Sequence, residues 1–463
     1  MTLIKSISGI RGTIGGKPGD VLSPYDIVNF TTAFAEFIKN ESGKERIKIV
    51  VGRDARISGE MVNRVVTGTL LAMGADVVDA GLSTTPTVEM AVTEEKADGG
   101  IILTASHNPE NWNALKLLNR NGEFLSADDG AELLKMIDKG EFVYSDVKKI
   151  GVCRTDDTFI DKHIEKILEL PLVDKDAIKK AGFTVAVDCV NSTGGIALPP
   201  LLKALGVKKV EELYTEPNGK FPHNPEPLPE NLGEISELVK KTNADVGFVV
   251  DPDVDRLAII SEDGEMFGEE YTLVAVSDYV LQNGKGNTVS NLSSTKALRD
   301  ITEKAGGEYF ASAVGEVNVV AKMKEVNAVI GGEGNGGVIY PELHYGRDSL
   351  VGIALFLSYL AKMKISCSSL RATYPSYFIS KNKIELSQEM DVDDILKQIA
   401  EKYKNHNVNT IDGVKIEFDN EWVHLRKSNT EPIIRIYSES ESETTAEHLA
   451  NKIIDDIRDI VRS

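Results

Sequence analysis

The chain has 463 residues, too many for a single hydrophobic core, and its length suggests roughly three domains. It is 41% hydrophobic and 27% charged, which excludes fibrous and disordered classes. Its 72 acidic and 52 basic residues leave a net charge of −20, which argues against general affinity for nucleic acid or anionic membranes. Anionic small molecules stay open, because a local cluster of Arg and Lys can hold a phosphate inside an acidic protein. Cys153, Cys189 and Cys367 are odd in number and far apart, fitting neither a disulfide framework nor a zinc site. The first residues lack the apolar core of a secretory leader, and no stretch approaches the ~18 apolar residues of a membrane helix. A cytoplasmic location is the expectation.

One pattern recurs along the chain. Residues 46–81 read as a strand (Ile47–Gly52), a polar turn, a helix over Met61–Met73 stopped by Gly74, and a strand over Asp76–Ala80. Residues 183–214 repeat it, with a strand over Thr184–Asp188, a helix ending at Leu205 before Gly206, and a strand over Lys209–Leu213. Residues 287–312 repeat it again, with Asn287–Ser290, a helix over Ser294–Lys304 and Tyr309–Ala311. Strands alternating with glycine-stopped helices predict βαβ units in parallel or mixed sheets. The C-terminal segment differs: helices over Val392–Lys404 and Thr444–Val461 flank strands over Val414–Phe418, Trp422–Arg426 and Ile433–Tyr437. That order predicts an α+β domain. The expected fold class is α/β: three related mixed-sheet domains plus a C-terminal α+β domain, over 1–150, 151–255, 256–370 and 371–463.

Four loops carry chemistry. Thr104-Ala105-Ser106-His107-Asn108-Pro109 follows the apolar run Gly100–Leu103, so Ser106 is presented from the end of a rigid strand. By itself it also reads as an ordinary turn. It is not a Gly-x-Ser-x-Gly elbow, so acyl-transfer hydrolysis gains no support. Asp251-Pro252-Asp253-Val254-Asp255-Arg256 places three carboxylates at alternate positions after Val246–Val250, a pattern suited to a hard cation. An EF-hand competes, with Glu262 at the twelfth position. It fails because Arg256 stands where that loop needs glycine, and Leu257–Ile260 reads as a strand.

Gly332-Glu333-Gly334-Asn335-Gly336-Gly337 matches the dinucleotide pattern, but the extended Val338-Ile339-Tyr340-Pro341 comes next, where that fingerprint needs a helix. Glu333 and Asn335 instead suit sugar hydroxyls. Arg426-Lys427-Ser428-Asn429-Thr430-Glu431-Pro432, with Arg435 beyond, reads as a phosphate cradle or as a basic turn. Arg11, in a glycine-flanked turn, Arg53 and Arg56 sit in loops beside strands, and Lys116 lies close to Ser106 in sequence.

Together the four loops resemble the α-D-phosphohexomutase superfamily over essentially the whole chain, one signature loop per domain. The resemblance implies four domains around a central cleft. It implies that Ser106 carries a phosphoryl group and that one Mg²⁺ per chain is held by Asp251, Asp253, Asp255 and phosphorylated Ser106. It also implies that Glu333 and Asn335 contact the sugar, and that Arg426, Ser428, Asn429, Thr430 and Arg435 hold the distal phosphate. Arg11, His107, Lys116 and Arg256 stand where the family has active-site groups, with Lys116 the expected general acid/base.

The implied reaction interconverts hexose or hexosamine 6-phosphate and 1-phosphate through a bisphosphorylated sugar, with a sugar bisphosphate as activator. Several bacterial members have a histidine where this chain has Gly337. The variant here resembles archaeal-type phosphoglucosamine and phosphomannomutases. Phosphoglucosamine mutase is the preferred expectation, phosphomannomutase/phosphoglucomutase the alternative, and an Mg²⁺-dependent sugar phosphatase the rival reaction. The expected partners are small sugar phosphates, with no nucleic acid or membrane, in a monomer or homodimer.

Overall fold

The computed structural model describes residues 2–6, 9–386, 391–427 and 433–462. They form two compact units, Met1–Tyr279 with Asn335–Arg371, and Val280–Gly334 with Ala372–Ser463. No helix among the described residues is long and apolar enough to cross a membrane.

The first unit contains two sheets. Strands β1 (Ile4–Ser6), β2 (Gly9–Thr13), β3 (Lys48–Arg53), β4 (Asp76–Leu82), β5 (Gly99–Leu103), β6 (Trp112–Leu118) and β7 (Cys153–Thr155) form one seven-stranded sheet. Its order is β1-β2-β6-β5-β3-β4-β7. The β5-β3-β4-β7 part is parallel, and β6, β2 and β1 add antiparallel neighbours. Strand alternation divides its apolar residues between two cores. Ile49, Val51, Ile101 and Leu103 face the helices Pro24–Ser42 and Gly59–Ala72. Val50 and Ile102 face the helix Thr85–Glu94. Ser23 starts the first of these helices with a reciprocal capping box to Asp26, and Gly43 ends it in the left-handed region.

The second sheet, β8 (Thr184–Asp188), β9 (Lys209–Leu213), β10 (Val246–Val250) and β11 (Leu257–Ser261), runs β11-β10-β8-β9. The β10–β11 pair is antiparallel and the others are parallel. This pairing removes the EF-hand alternative, because the residues after Arg256 are a ladder strand rather than a calcium loop.

In the second unit, β12 (Asn287–Asn291), β13 (Tyr309–Ser312) and β14 (Ala328–Glu333) pair in parallel. The strand β15 (Gly337–Ile339) comes after the glycine-rich loop and belongs to the first unit. The helix expected from Ser294 begins at Ala297. The Ser294 hydroxyl is engaged by Asn291 Oδ1 and the Gly334 N–H, and Thr295 Oγ1 accepts the Ala297 N–H.

A five-stranded antiparallel sheet, β16 (Phe378–Glu385), β17 (Asn407–Asn409), β18 (Val414–Glu417), β19 (Trp422–Lys427) and β20 (Ile433–Ser440), has the order β16-β20-β19-β18-β17. Ile395, Ile399, Ile453 and Ile457, from the helices Val392–Lys402 and Glu443–Arg462, join its core. Strand β16 was not expected from sequence. It is an edge strand with Lys381, Asn382 and Lys383 in a row, without the apolar alternation of a buried one.

Candidate active site

The site is built at strand exits of the first unit. Beyond β5, Thr104 folds the chain back, its hydroxyl accepting the Ser106 N–H at 2.9 Å and donating to Asp54 Oδ2 at 2.7 Å. Ser106 sits at φ +48°, in the left-handed region that costs a non-glycine residue about 1–2 kcal/mol. The surroundings that hold it there centre on Arg56, which is 1% exposed. Its Nε donates to Asp54 Oδ2 at 3.0 Å, and its terminal nitrogens donate to the carbonyls of Ser106, Asn108, Pro109 and Trp112. Burial raises the Asp54 pKa, opposed by the charge of Arg56 and the Thr104 hydrogen bond.

Beyond β10, the acidic loop turns at Val254, φ +65°, whose N–H returns to the Asp251 carbonyl. Asp251 Oδ1 accepts the N–H groups of Asp255 and Arg256, fixing its carboxylate at the base of the turn. The Pro252 carbonyl accepts hydroxyls from Ser192 and Thr193 at 2.7 and 2.8 Å. Asp251, Asp253 and Asp255 are all 0% exposed, and one oxygen from each lies within 4.8 Å of the others.

The two loops meet: Ser106 Oγ donates to Asp251 Oδ2 at 2.7 Å. His107 Nδ1 lies 3.4 Å from the same hydroxyl. Lys116, on β6, reaches Asp253 Oδ2 at 2.7 Å and Asp255 Oδ2 at 3.5 Å. Thr85 donates its hydroxyl to Asp253 Oδ2 at 2.6 Å, and Arg347 Nη2 donates to Asp255 Oδ2 at 2.6 Å. Each outer oxygen is thus occupied. The other oxygens, Asp253 Oδ1 and Asp255 Oδ1, are buried without a hydrogen-bond partner.

Two orphaned carboxylate oxygens in an all-oxygen cluster are what a divalent cation would satisfy, so the donor set fits a hard metal ion. The three carboxylates also act on one another: burial, then Asp255 and Asp253, push Asp251 well above its ordinary value. At Asp253 burial is outweighed by Lys116, and its carboxyl stays below the usual range. Burial likewise opposes the charge on Lys116, but Asp253 and Asp255 prevail and raise its pKa. Half-buried His107 is lowered to about 3, by burial and then by Arg256.

Arg256 pairs with Glu226 Oε1 at 3.3 Å, and its buried Nε has no partner. Arg11 is exposed on β2. The β2–β6 register sets Arg11 opposite Ala114 and Gly9 opposite Lys116, so strand alternation brings Arg11 and Lys116 to one face.

Glycine at 337 has a steric reason. A Cβ there would lie 2.3 Å from Cδ of Arg347, so Gly337 leaves the path by which that arginine reaches Asp255. Asn335 Oδ1 accepts the Gly337 N–H at 3.2 Å. In the second unit, Glu333 Oε1 accepts from Asn291 Nδ2 at 2.8 Å and the Gly315 N–H at 2.9 Å. Arg426 and Arg435 stand directly opposite on β19 and β20, and Lys383 stands opposite Arg435 on β16. Like charges in a cross-strand row repel, which suits a surface that meets an anion. Arg426 also pairs with Asp412 at 2.8 Å. Ser428, Asn429 and Thr430 lie outside the described residues.

Sequence reasoning passed over Thr85 and Arg347, which order the acidic loop, and noted Arg56 only as a nearby charge. Thr84-Thr85-Pro86 and Arg347-Asp348-Ser349 both carry helix-start signals, with Thr84 and Asp348 as N-caps. Those signals were the only pointer to them.

Residues 3–144, 161–264 and 268–377 match the profiles of phosphoglucomutase/phosphomannomutase alpha/beta/alpha domains I, II and III. Residues 383–456 match the phosphoglucomutase/phosphomannomutase C-terminal domain. The chain is 39% identical to a phosphoglucomutase/phosphomannomutase of Thermococcus kodakarensis, over 94% of this chain and 95% of that protein. It is 32% identical to a phosphoglucosamine/phosphogalactosamine mutase of Sulfurisphaera tokodaii, over 96% and 97%. A crystal structure of a phosphoglucomutase/phosphomannomutase family protein from Burkholderia thailandensis superposes with a TM-score of 0.83 at 29% identity, covering 98% of this chain and 96% of that one. With matched segments along nearly its full length, the chain belongs to the phosphoglucomutase/phosphomannomutase family of α-D-phosphohexomutases and is an isomerase of that class.

Proposed function

We propose that the protein interconverts a hexosamine 6-phosphate and 1-phosphate, with Ser106 carrying the transferable phosphoryl group. The observation that carries the phosphoserine part of this reading is the 2.7 Å hydrogen bond joining Ser106 Oγ to Asp251 inside a buried, cation-competent cluster. The 32% identical phosphoglucosamine/phosphogalactosamine mutase supports the hexosamine part. In the forward half-reaction the free sugar hydroxyl attacks phosphorus on Ser106. A new O–P bond forms, the Oγ–P bond breaks, and Ser106 takes up a proton as the substrate hydroxyl loses one. The second half-reaction reverses these changes with the other phosphate of the bisphosphorylated sugar.

Lys116 is the general acid/base of this reading, and its ammonium, kept charged by Asp253 and Asp255, adds positive charge to the site. The neutral imidazole of His107 can accept a hydrogen bond from the Ser106 hydroxyl. Asp251, Asp253, Asp255 and the phosphoryl group on Ser106 would hold Mg²⁺, which neutralises charge on the phosphoryl oxygens. Arg256 and Arg11 add positive charge for the substrate. Glu333 and Asn335 read sugar hydroxyls, and the row of Arg426 and Arg435, with Ser428, Asn429 and Thr430, holds the phosphate that is not reacting. This assignment divides the chain into four domains with boundaries near 150, 255 and 370, one loop in each.

The 39% identical relative supports a second reading, phosphomannomutase/phosphoglucomutase activity. Comparison of kcat/KM for glucosamine, glucose and mannose phosphates, with a sugar bisphosphate activator, separates the two. Ser106→Ala removes more than about 1,000-fold of mutase activity and the phosphate seen by intact mass. Undiminished isomerisation by that variant refutes the phosphoserine cycle, and steady release of inorganic phosphate by the wild type without isomerisation points to a phosphatase.

A further inference from the structure

The acidic loop is gripped from two sides by the first residues of two helices. On one side Thr85, which opens the helix Thr85–Glu94, donates its N–H to the Asp253 carbonyl at 2.8 Å and its hydroxyl to the Asp253 carboxylate. On the other, Ser349, which opens the helix Ser349–Met363, donates its N–H to the Val254 carbonyl at 3.2 Å. Arg347, two residues earlier, holds Asp255.

The two helix starts are joined by one imidazole. His163, on the helix Phe159–Glu169, is 1% exposed. Its Nδ1 lies 2.9 Å from Thr87 Oγ1, and Thr87 is tied to the cap residue Thr84 through both hydroxyl and N–H. Its Nε2 lies 2.9 Å from Oδ2 of Asp348, whose other oxygen caps the second helix at the N–H groups of Leu350 and Val351. His344 Nε2 lies 3.4 Å from the same Oδ2. Burial works against the Asp348 charge, yet the two imidazoles hold its carboxyl below the ordinary range.

From this geometry we propose that His163 is a positioning residue for the acidic loop, spacing the helix starts at Thr85 and Ser349 so that Asp253 and Asp255 turn their unpartnered oxygens to one point. His163 touches none of the reacting groups. It acts through Thr87 and Asp348, as groups behind metal ligands do when they orient them. The inference rests on the reading of Asp251, Asp253 and Asp255 as cation ligands.

The test is calorimetric titration of the metal-free, full-length protein with Mn²⁺, paired with steady-state kinetics. The wild type binds Mn²⁺ and Asp253→Asn does not; retention of binding by Asp253→Asn overturns the ligand assignment itself. Given that assignment, His163→Ala weakens Mn²⁺ binding about 10-fold and lowers kcat about 10- to 100-fold while the sugar-phosphate KM stays within about 3-fold. His163→Gln, whose amide can still donate to Asp348, recovers part of both. Thr87→Val, which keeps the side-chain shape, cuts the other half of the bridge and shifts both in the same direction should His163→Ala fail to fold.

Ile167→Ala, a core truncation on the same helix, lowers Tm but leaves Mn²⁺ affinity and kcat unchanged below that Tm. The proposal is overturned if His163→Gln and Thr87→Val leave Mn²⁺ affinity and kcat within 2-fold. It is also overturned if Ile167→Ala reproduces the loss, which would make the effect general destabilisation. A second equivalent of Zn²⁺ bound by the wild type and lost in His163→Ala would overturn it too, because the cluster with His344 would then be a metal site of its own.

Discussion

Arg56 commits all five of its N–H donors to the serine loop and the carboxylate behind it: one to Asp54, two to Pro109 and Trp112, two to Ser106 and Asn108. Arg56→Met keeps most of the volume and removes every one of those bonds. Four carbonyls lose a charged donor, and the fully buried Asp54 loses its counter-charge. Breaking a buried pair from one side costs about 3–5 kcal/mol, which for a domain of this size lowers Tm by roughly 10 °C.

The catalytic loss should exceed what stability explains. Ser106 is held in a backbone conformation it would not choose, and release of its carbonyl lets the loop relax away from Asp251. Misplacement of a reacting atom by about 1 Å is worth roughly 100-fold. The assay is kcat for hexose-phosphate isomerisation well below the lowered Tm, with the rate of Ser106 phosphorylation by a sugar bisphosphate followed by intact mass. Arg56→Lys, with three donors at one point instead of five in a plane, should fall between the wild type and Met. If Arg56→Met keeps kcat and the phosphorylation rate within about 3-fold, the guanidinium is not what presents Ser106.

Two further perturbations bear on other parts of the molecule. Gly337→Ala needs no unusual backbone angle but places a Cβ on the Arg347 stem, so the Arg347–Asp255 contact breaks. A loss of about 1–3 kcal/mol in denaturant titration with a fall in kcat is expected, and an unchanged Arg347 in the variant's crystal structure would show the steric reasoning wrong. His424, buried in the second unit, is lowered to about 4 by burial, with Lys415 and Arg426 adding to it. The folded state therefore binds fewer protons than the unfolded chain between about pH 4 and 6.5, and stability falls as pH drops through that window. About 1–2 kcal/mol should be lost between pH 6.5 and 5 by chemical denaturation. His424→Gln should flatten that slope, and an unaltered slope would refute the assignment.

Much of this was legible in the sequence because it is local. Alternating aspartates after an apolar strand, and a serine turn after another, announce themselves within a few residues, and the βαβ grammar placed both at strand exits. The glycine-rich loop could be separated from a dinucleotide site by the segment just after it, and β15 is indeed extended there. The features that stayed hidden are long-range. Nothing near Arg347 says that its head reaches Asp255, and His163 meets Asp348 across 185 positions of chain. Lys116 could be named from proximity to Ser106 in sequence, but its actual partners are Asp253 and Asp255, which only the packing of two sheets supplies. Strand β16 escaped because an edge strand does not need the apolar rhythm by which buried strands are found.

Under the proposed cycle, the left-handed backbone at Ser106 also bears on which amino acid suits the position. Threonine also offers a hydroxyl of the kind that forms phosphate esters. A β-branched side chain, however, is a true outlier at positive φ, and its extra methyl would crowd the turn that Thr104 and Arg56 close. Between a primary and a secondary alcohol, the torsion angle thus weighs toward serine before any substrate arrives.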